Sequence, residues 1–510
     1  MRAPRRKTAA SSAAKIIAFD AGKAGRRLRS VPTSVAAINA QIRRYGRSVL
    51  ARSRYLAANN PHAASAKETF VSALVGCGIM PSSLSTDPDV KKGLETAWYD
   101  WTDEADADGL TDLYGLQAIV ASEMFEAGEC FIRLRPRFAS DGLSVPLQLQ
   151  LLPAEMLDLS YNVVLPNNNR IECGIEFDAI GRRVNYHFWR QHPDTDVIFN
   201  GIAAGLRTIV PADEVLHLFK PMRAGQVRGV PHTLSSIVTL AILDQYEDAE
   251  LERKRIAALF GAFVTRPTPE DPSHPLGDPT ELGADAKPAM ALEPGATIDL
   301  EPGEDVKFAE PADVGGNYEA FLYRQLLKAA AGFGVPYAAM TGDLRQTSYG
   351  SIRAGLIEFR RRIEAMQHSV MVYQFCRPIW NRWVADAVLA EAIPVSPADF
   401  ERNKRDIVRV KWMPPKWDWI DPLKDLQAEK LAVDNGFKSR DDVVEAGGYD
   451  PAENDARIAA GRDRAEALDL EFGNPIPIAV IAAPAAPAQA EPDQDDETDG
   501  SEPPVDSSQD

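Results

Sequence analysis

Pro231 and Pro267 bracket 35 residues that contain no proline, HTLSSIVTLAILDQYEDAELERKRIAALFGAFVTR. One unbroken helix of that length would reach about 50 Å. Its middle, from Asp244 to Arg255, is nearly all charged, with acids preceding Arg253, Lys254 and Arg255. The run covers every face of the helix for about three turns. A helix that is polar all round either bridges domains or packs through polar contacts with neighbours. A chain built around such an element does not fold as a simple amphipathic bundle.

The remaining texture is modular. At 510 residues the chain exceeds what one hydrophobic core usually serves. Residues 1–54 hold 14 Lys or Arg and one acid, Asp20, whereas the last twenty residues, from Glu491, hold nine acids and no base. With a formal net charge of −18, this reads as a basic arm, an acidic folded body and an acidic tail. The N-terminus lacks a secretory apolar region. No apolar run of the length a membrane helix needs is present. Cys77, Cys130, Cys173 and Cys376 lie far apart without a CxxC pair, against a zinc site or a disulfide scaffold.

Between residues 55 and 220 the pattern is α+β. RYLAANNPHAASAKETFVSALVGCGIMP reads as a helix or helix pair, then a short strand stopped by Pro81. Leu116, Ile119, Val120 and Met124 fall at helical spacing; Gly128 ends that helix, and Cys130, Ile132 and Leu134 alternate as in a strand. LQLQLLP, RIECGIEF and VNYHFWR read as further strands, the last two joined by a DAIGRR turn. Residues 267–316 hold nine prolines and two LEPG turns eight residues apart. YEAFLYRQLLKAAAGFG is a helix closed by Gly334 and stopped by Pro336, and a long helix follows from about Ser351 to Ala392, interrupted near Pro378. Three short helices come last, the middle one capped by Ser439 with Asp442 at N3.

Signatures of chemistry are sparse. No phosphate-cradling G-x-x-x-x-G-K-[ST], G-x-S-x-G or H-E-x-x-H is present. His187 and His192, across a strand end, point to opposite faces and make a poor metal pair. Asp305-Val306-Lys307 has acid-x-lysine spacing that could hold Mg²⁺ beside a phosphate, with Glu301 and Glu304 nearby, but an exposed strand after a Pro-Gly turn explains it as well. TGDLRQTSYGSIRAG, residues 341–355, is a hydrophilic loop with no histidine or cysteine beside it. Its donors suit brief contacts to phosphate oxygens better than catalysis. The plainer alternative is that Thr347 and Tyr349 are packing residues that start the next helix.

Four segments resemble the portal proteins of tailed bacteriophages, lambda type. HLFKPMRAGQVRGVP (His217–Pro231) resembles the lead into that family's stem helix. LEPGEDVKFAEP with YEAFLYRQLLKAAAGFGVPYAAMTGDL resembles its clip strands and returning stem helix. QTSYGSIRAGLIEF is similar to its T-N-Y-S-S-x-R-A-x-L pattern, with Ser348 in place of asparagine and Gly350 in place of serine. WDWIDPLKDLQAEKLAVDNGFKSRDDVVEAGGYDP resembles its W-x-D-P and G-x-x-S-R stretch. The likeness spans roughly residues 45–470.

The resemblance implies a multidomain α+β subunit: a basic arm (1–54), an α/β wing (55–231), a first stem helix (232–266), a small α/β clip (267–316) and a second stem helix (317–335). A tunnel loop and long wing helix (336–393), a wing return strand (394–417), a helical crown (418–472) and a disordered acidic tail (473–510) follow. It implies a non-enzymatic ring, commonly of twelve subunits, at one capsid vertex of the virion, made in the bacterial host cytoplasm. Through it duplex DNA passes during packaging and ejection, without sequence specificity and without cofactor, metal or membrane. Implied partners are the terminase large subunit, a head–tail adaptor, and the major capsid protein or scaffold. Arg345, Gln346, Thr347, Ser348 and Tyr349 would touch DNA in the channel, with Gly342 and Gly350 as hinges. Glu250, Glu252, Arg253, Lys254 and Arg255 would meet neighbouring subunits. The alternatives are a Mg²⁺ nuclease using Glu301, Asp305 and Lys307, or a head–tail adaptor.

Overall fold

The computed structural model describes residues 35–194, 206–258, 262–265, 305–308, 318–345, 348–417 and 422–470. Most of the expected arm, most of the 267–316 segment including Glu301, the loop residues Gln346 and Thr347, and the tail from 473 lie outside the described residues.

The fold opens with α1 (Ile38–Asn59) and α2 (Pro61–Leu74). They divide at Asn60, whose side chain accepts from Ala63 N at 2.9 Å, while Pro61 takes the first helical position, where its missing N–H costs nothing. Residues 38–54, expected as part of a poorly ordered arm with some helical potential, are an ordered part of α1. The reason is burial: Ile42, Leu50 and Ser53 face the body, and Arg54 reaches Glu123, Glu126 and Glu155. Burial works to lower the Arg54 pKa, but its bonds to Glu155 and Glu123 prevail and raise it.

β1 (Met80–Ser83), α3 (Pro88–Thr102), α4 (Leu113–Glu126), β2 (Glu129–Pro136) and β3 (Leu147–Leu152) follow. Pro81 does not stop β1 but lies inside it, opposite Trp412. The sheet has two strands, so each has a free edge where a proline removes no ladder bond. β4 (Val163–Val164), β5 (Arg170–Glu172), β6 (Ile175–Phe177), β7 (Arg183–Trp189) and β8 (Arg207–Pro211) form one antiparallel sheet in chain order. RIECGIEF, expected as one strand, is the β5–β6 hairpin. Cys173 and Gly174 both take positive φ, 51° and 82°, the signature of a two-residue turn matched to strand twist. β9 (Val215–Phe219) completes the three-stranded sheet β3-β2-β9. Gly128, at φ +78°, separates α4 from β2; a Cβ there would lie 2.0 Å from the Val230 carbonyl.

The 35-residue stretch is not one helix. After a 3-10 turn (His232–Ser235), α5 (Ile237–Ala258) runs 22 residues, about 33 Å. The chain then enters β10 (Ala262–Thr265), paired antiparallel with β11 (Asp305–Phe308). Pairing with a strand some forty residues downstream overrides the local helical pattern. Asp305 and Lys307 therefore sit in β11, opposite Thr265 and Phe263.

α6 (Tyr318–Phe333), α7 (Tyr337–Thr341) and α8 (Tyr349–Met366) lead into a ten-residue π-helical segment, Gln367–Cys376, and α9 (Arg377–Leu389). The expected break near Pro378 is absent. Arg377 N–H bonds the Val372 carbonyl five residues back, and the wider turn relieves the clash a proline ring makes with the preceding turn. Two glutamines pin this segment. Gln367 donates to the Ala73 and Leu74 carbonyls, and Gln374 pairs with both backbone groups of Phe219. Residues 394–417, expected as a wing return strand, hold a strand only at the short β12 (Val410–Met413), paired with β1; α10 (Pro397–Ile407), capped by Ser396, precedes it. α11 (Pro422–Asp434) and α12 (Arg440–Ala446) follow, the latter capped by Ser439 and Asp442 as expected. α13 (Pro451–Ala467), capped by Asp450, belongs to a separate unit beginning at Asp450.

The larger core joins α2–α4, one face of β2 and β3, α5, α6, and the α8–α9 run. At its centre Trp98, Trp101, Trp380 and Trp383 cluster with ring centroids 5.0–6.1 Å apart. A smaller core fills the space between Phe131 and the five-stranded sheet, through Ile175, Tyr186, Phe188 and Val210.

Candidate functional site

The 341–352 loop is anchored at both ends. Gly342, at φ +70°, closes α7. Asp343 then accepts from Arg345 N, Nε and Nη2, each at 3.0 Å, and from Tyr337 Oη at 3.4 Å. Arg345 Nη2 also lies 3.3 Å from Glu319 in the first turn of α6. The bonds from Arg345 hold the Asp343 carboxyl down at about 2. The Arg345 side chain remains 74% exposed, so its ion pairs are weak and exchangeable. Ser348 is the N-cap of α8: its Oγ accepts from Ser351 N, while Ser351 Oγ accepts from Ser348 N. Tyr349 begins α8 and Gly350 lies in its first turn. Of the five expected loop contacts, Arg345 is thus a surface cation and Ser348 a helix cap, and Gln346 and Thr347 lie outside the described residues.

Behind the loop α8 grips α11 and the chain before it. Arg353 bonds Asp425 at 3.1 Å, and Arg360 lies over the Trp417 ring at 5.2 Å. Neither contact is legible in the sequence, since both partners lie more than fifty residues away.

On α5 the charge run pairs along its own helix. Glu250, only 6% exposed, accepts from Arg253 at 2.5 Å and has Lys254 at 3.9 Å; Arg255 lies 3.6 Å from Glu252. Lys254 also stands 5.1 Å over Tyr318 of α6. α5 is not polar all round, however. Leu240 and Leu243 are buried, whereas Val238 and Ile242, spaced four residues on from Leu234 in the preceding 3-10 turn, are 66 and 61% exposed, and Leu234 is 39% exposed.

The segment before α5 carries a buried charge network. Arg228 Nε donates to both Glu129 oxygens, and its Nη groups donate to the Leu157, Cys173 and Ala154 carbonyls. Gly229 N and His217 Nε2 complete the Glu129 shell at 2.6 and 3.0 Å. Burial works to raise the Glu129 pKa, but Arg228 and His217 hold it down at about 2; burial lowers His217 to about 4. A neutral His217 therefore donates to a charged Glu129. His187 likewise packs against Glu176 at 3.2 Å.

A model of the phage portal protein, lambda family, matches residues 24–367. The chain belongs to the lambda family of phage portal proteins. The portal subunit is 25% identical over 417 residues to the probable portal protein of Halomonas phage phiHAP-1, covering 81% of this chain and 77% of that one. It is 23% identical to the portal protein of Escherichia phage N15, covering 58% and 61%, and 24% identical to portal protein B of Escherichia phage lambda, covering 48% and 51%. Among solved structures it is similar to a chain from the neck of a native GTA particle computed with C12 symmetry, with a TM-score of 0.43 and 14% identity over 79% of this chain and 93% of that one. The portal subunit is a structural component of the virion and not an enzyme.

Proposed function

We propose that the portal subunit assembles into a closed ring, a dodecamer in the virion, at one capsid vertex. The ring is the conduit for DNA packaging and ejection, docking terminase and then head–tail connector proteins. Family membership supports this role, and one structural observation carries the assembly: the open apolar stripe formed by Leu234 of the 3-10 turn with Val238 and Ile242 of α5. The stripe continues into an apolar groove of about 480 Å³ lined by Ile38, Ile42, Tyr45, Met222 and Leu234. In a ring each subunit offers two different surfaces, and a stripe of this kind is covered by the neighbour. Glu252, Lys254 and Arg255, exposed about three turns further along α5, then meet the neighbour's charges, with Glu250 and Arg253 bracing that part of the helix from within.

The loop from Arg345 to Tyr349, with Gln346, Thr347 and Ser348, faces the bore in this reading. Gly342 is its left-handed pivot, and Gly350 loosens the start of α8. Arg345 exchanges Asp343 and Glu319 for phosphate oxygens at little cost, because exposed ion pairs are worth about 0–1 kcal/mol. An acidic body repels DNA mildly and lets it slide, whereas a basic lining would hold it by many phosphate contacts.

Mass photometry with negative-stain imaging of the purified chain tests the ring. Closed rings of about a dozen subunits are expected, with Val238→Asp/Ile242→Asp shifting the population to monomers. A wild type that stays monomeric at high concentration would overturn the reading. For the loop, normal DNA packaging by an Arg345→Ala/Tyr349→Ala variant would remove its role.

A further inference from the structure

Outside the stem and loop, one sheet face carries a concentration of positive charge that the fold leaves largely unmatched. Arg133 and Arg135 in β2, with Arg137 just beyond it, occupy alternate positions and so share one face, opposite the buried Ile132 and Leu134. The facing strand β3 sets Gln150 against Arg133 and Gln148 against Arg135. Arg137 Nε donates to Gln148 Oε1 at 2.8 Å. Around them the charged groups are Glu214, 3.7 Å from Arg133, and Asp108, which acts on Arg135 from the neighbouring turn. Among the described residues no carboxylate forms an ion pair with Arg135 or Arg137. The Nε atoms of Arg133 and Arg135 are buried without a hydrogen-bond partner, so both side chains are short of acceptors. Burial, and then repulsion from Arg133 and Arg137, pulls the Arg135 pKa down.

We propose that Arg133, Arg135 and Arg137 form a binding strip for the phosphodiester backbone of duplex DNA, separate from the Arg345 loop. The chemistry fits: planar guanidiniums take phosphate oxygens in pairs, and the Gln150 amide adds a neutral donor, whereas Gln148 Nε2 is already held by the Glu104 and Asp106 carbonyls. The spacing fits as well. Alternate positions on a β-strand repeat every ~6.8 Å, and adjacent phosphates of one DNA strand, separated by ~3.4 Å of axial rise and by the sideways step of the helical twist, lie about as far apart through space, so successive arginines meet successive phosphates. A rigid row of this kind favours a regular polyanion over a flexible acidic peptide, whose carboxylates have no fixed repeat.

Fluorescence anisotropy of a labelled duplex with the full purified chain, titrated between about 50 and 200 mM salt, tests the strip. Arg133→Gln/Arg135→Gln/Arg137→Gln is expected to weaken binding and to flatten the slope of log K against log salt by about 2.7, three contacts at ~0.9 each. The triple lysine replacement keeps the charges and is expected to retain the slope, which separates lost contacts from lost folding. Arg345→Gln is expected to leave the strip's contribution in place. Unchanged affinity and slope in the glutamine variant, or no duplex binding by the wild type at low salt, would overturn the proposal. Displacement of duplex by polyglutamate at equal charge concentration would overturn it too, by naming an acidic protein as the partner.

Discussion

Replacing Arg228 with methionine isolates the buried charge network that ties the two sheets to the segment entering α5. Arg228 is 1% exposed and supplies donors to both Glu129 oxygens and to three backbone carbonyls. Methionine fills comparable space and keeps the packing against Phe131, so cavity formation is a minor part of the loss. What remains is a carboxylate held only by Gly229 N and His217, and the Leu157, Cys173 and Ala154 carbonyls each short of the Arg228 donor, Ala154 keeping its bond from Leu157 N. Removing one member of a buried ion pair costs about 3–5 kcal/mol, and that range is expected near pH 8. The loss depends on pH in a definite direction. In the wild type the folded-state pKa of Glu129 is about 2, below its ordinary 4.5. Its contribution is therefore present above about pH 4.5 and lost as pH falls towards 2, on the order of 3 kcal/mol. Without Arg228, burial dominates and the Glu129 pKa rises, so the carboxyl sheds its unpaired charge by protonation as pH falls. The difference between variant and wild type should accordingly shrink by pH 5.5. Urea denaturation followed by the fluorescence of the Trp98–Trp101–Trp380–Trp383 cluster measures both values. A loss below about 1 kcal/mol at pH 8, or an equal loss at both pH values, would refute the reasoning.

Two further outcomes follow from the same region. His217 titrates at about 4 when folded against an ordinary 6.5, so the unfolded chain binds the proton first and stability falls as pH drops from about 6.5 to 4. Thermal melts across that range should show the decline, and His217→Gln, which keeps a donor for Glu129 without titrating, should flatten it; an unchanged slope would contradict the assignment. Gly128→Ala places a Cβ 2.0 Å from the Val230 carbonyl at a φ of +78°, and should cost more than about 3 kcal/mol. A near-wild-type melting temperature for that variant would show that the α4–β2 corner relaxes freely.

Features set by a few neighbouring residues are legible in the sequence. Gly128 ends α4, Gly334 follows α6 at φ +71°, and Ser439 with Asp442 caps α12, because each depends on local dihedral preference or a side chain bonding three residues away. The family is legible too, since motif order survives even where individual positions such as Ser348 and Gly350 depart. Local pattern misleads where distant partners intervene. Residues 38–54 read as part of a poorly ordered basic arm with only some helical potential, yet they are held in α1 because Arg54 finds Glu123 and Glu155 across the fold. The helical pattern runs on past Ala258, and nothing near Ala262 announces its pairing with β11. Pro378 promises a break, but a π segment pinned by Gln367 and Gln374 carries the helix through.

By itself, then, the sequence determined the mixed α+β class, several helix ends and caps, the family and the chain's uneven charge. It could not determine what those charges do. Glu129 and Arg228 stand 99 residues apart, and each alone reads as a surface charge. Only folding buries them together, and a charge's energy is set less by its own chemistry than by how much water its surroundings remove and which partner replaces it. The same holds in reverse for Val238 and Ile242, apolar residues that the subunit's own packing leaves in water.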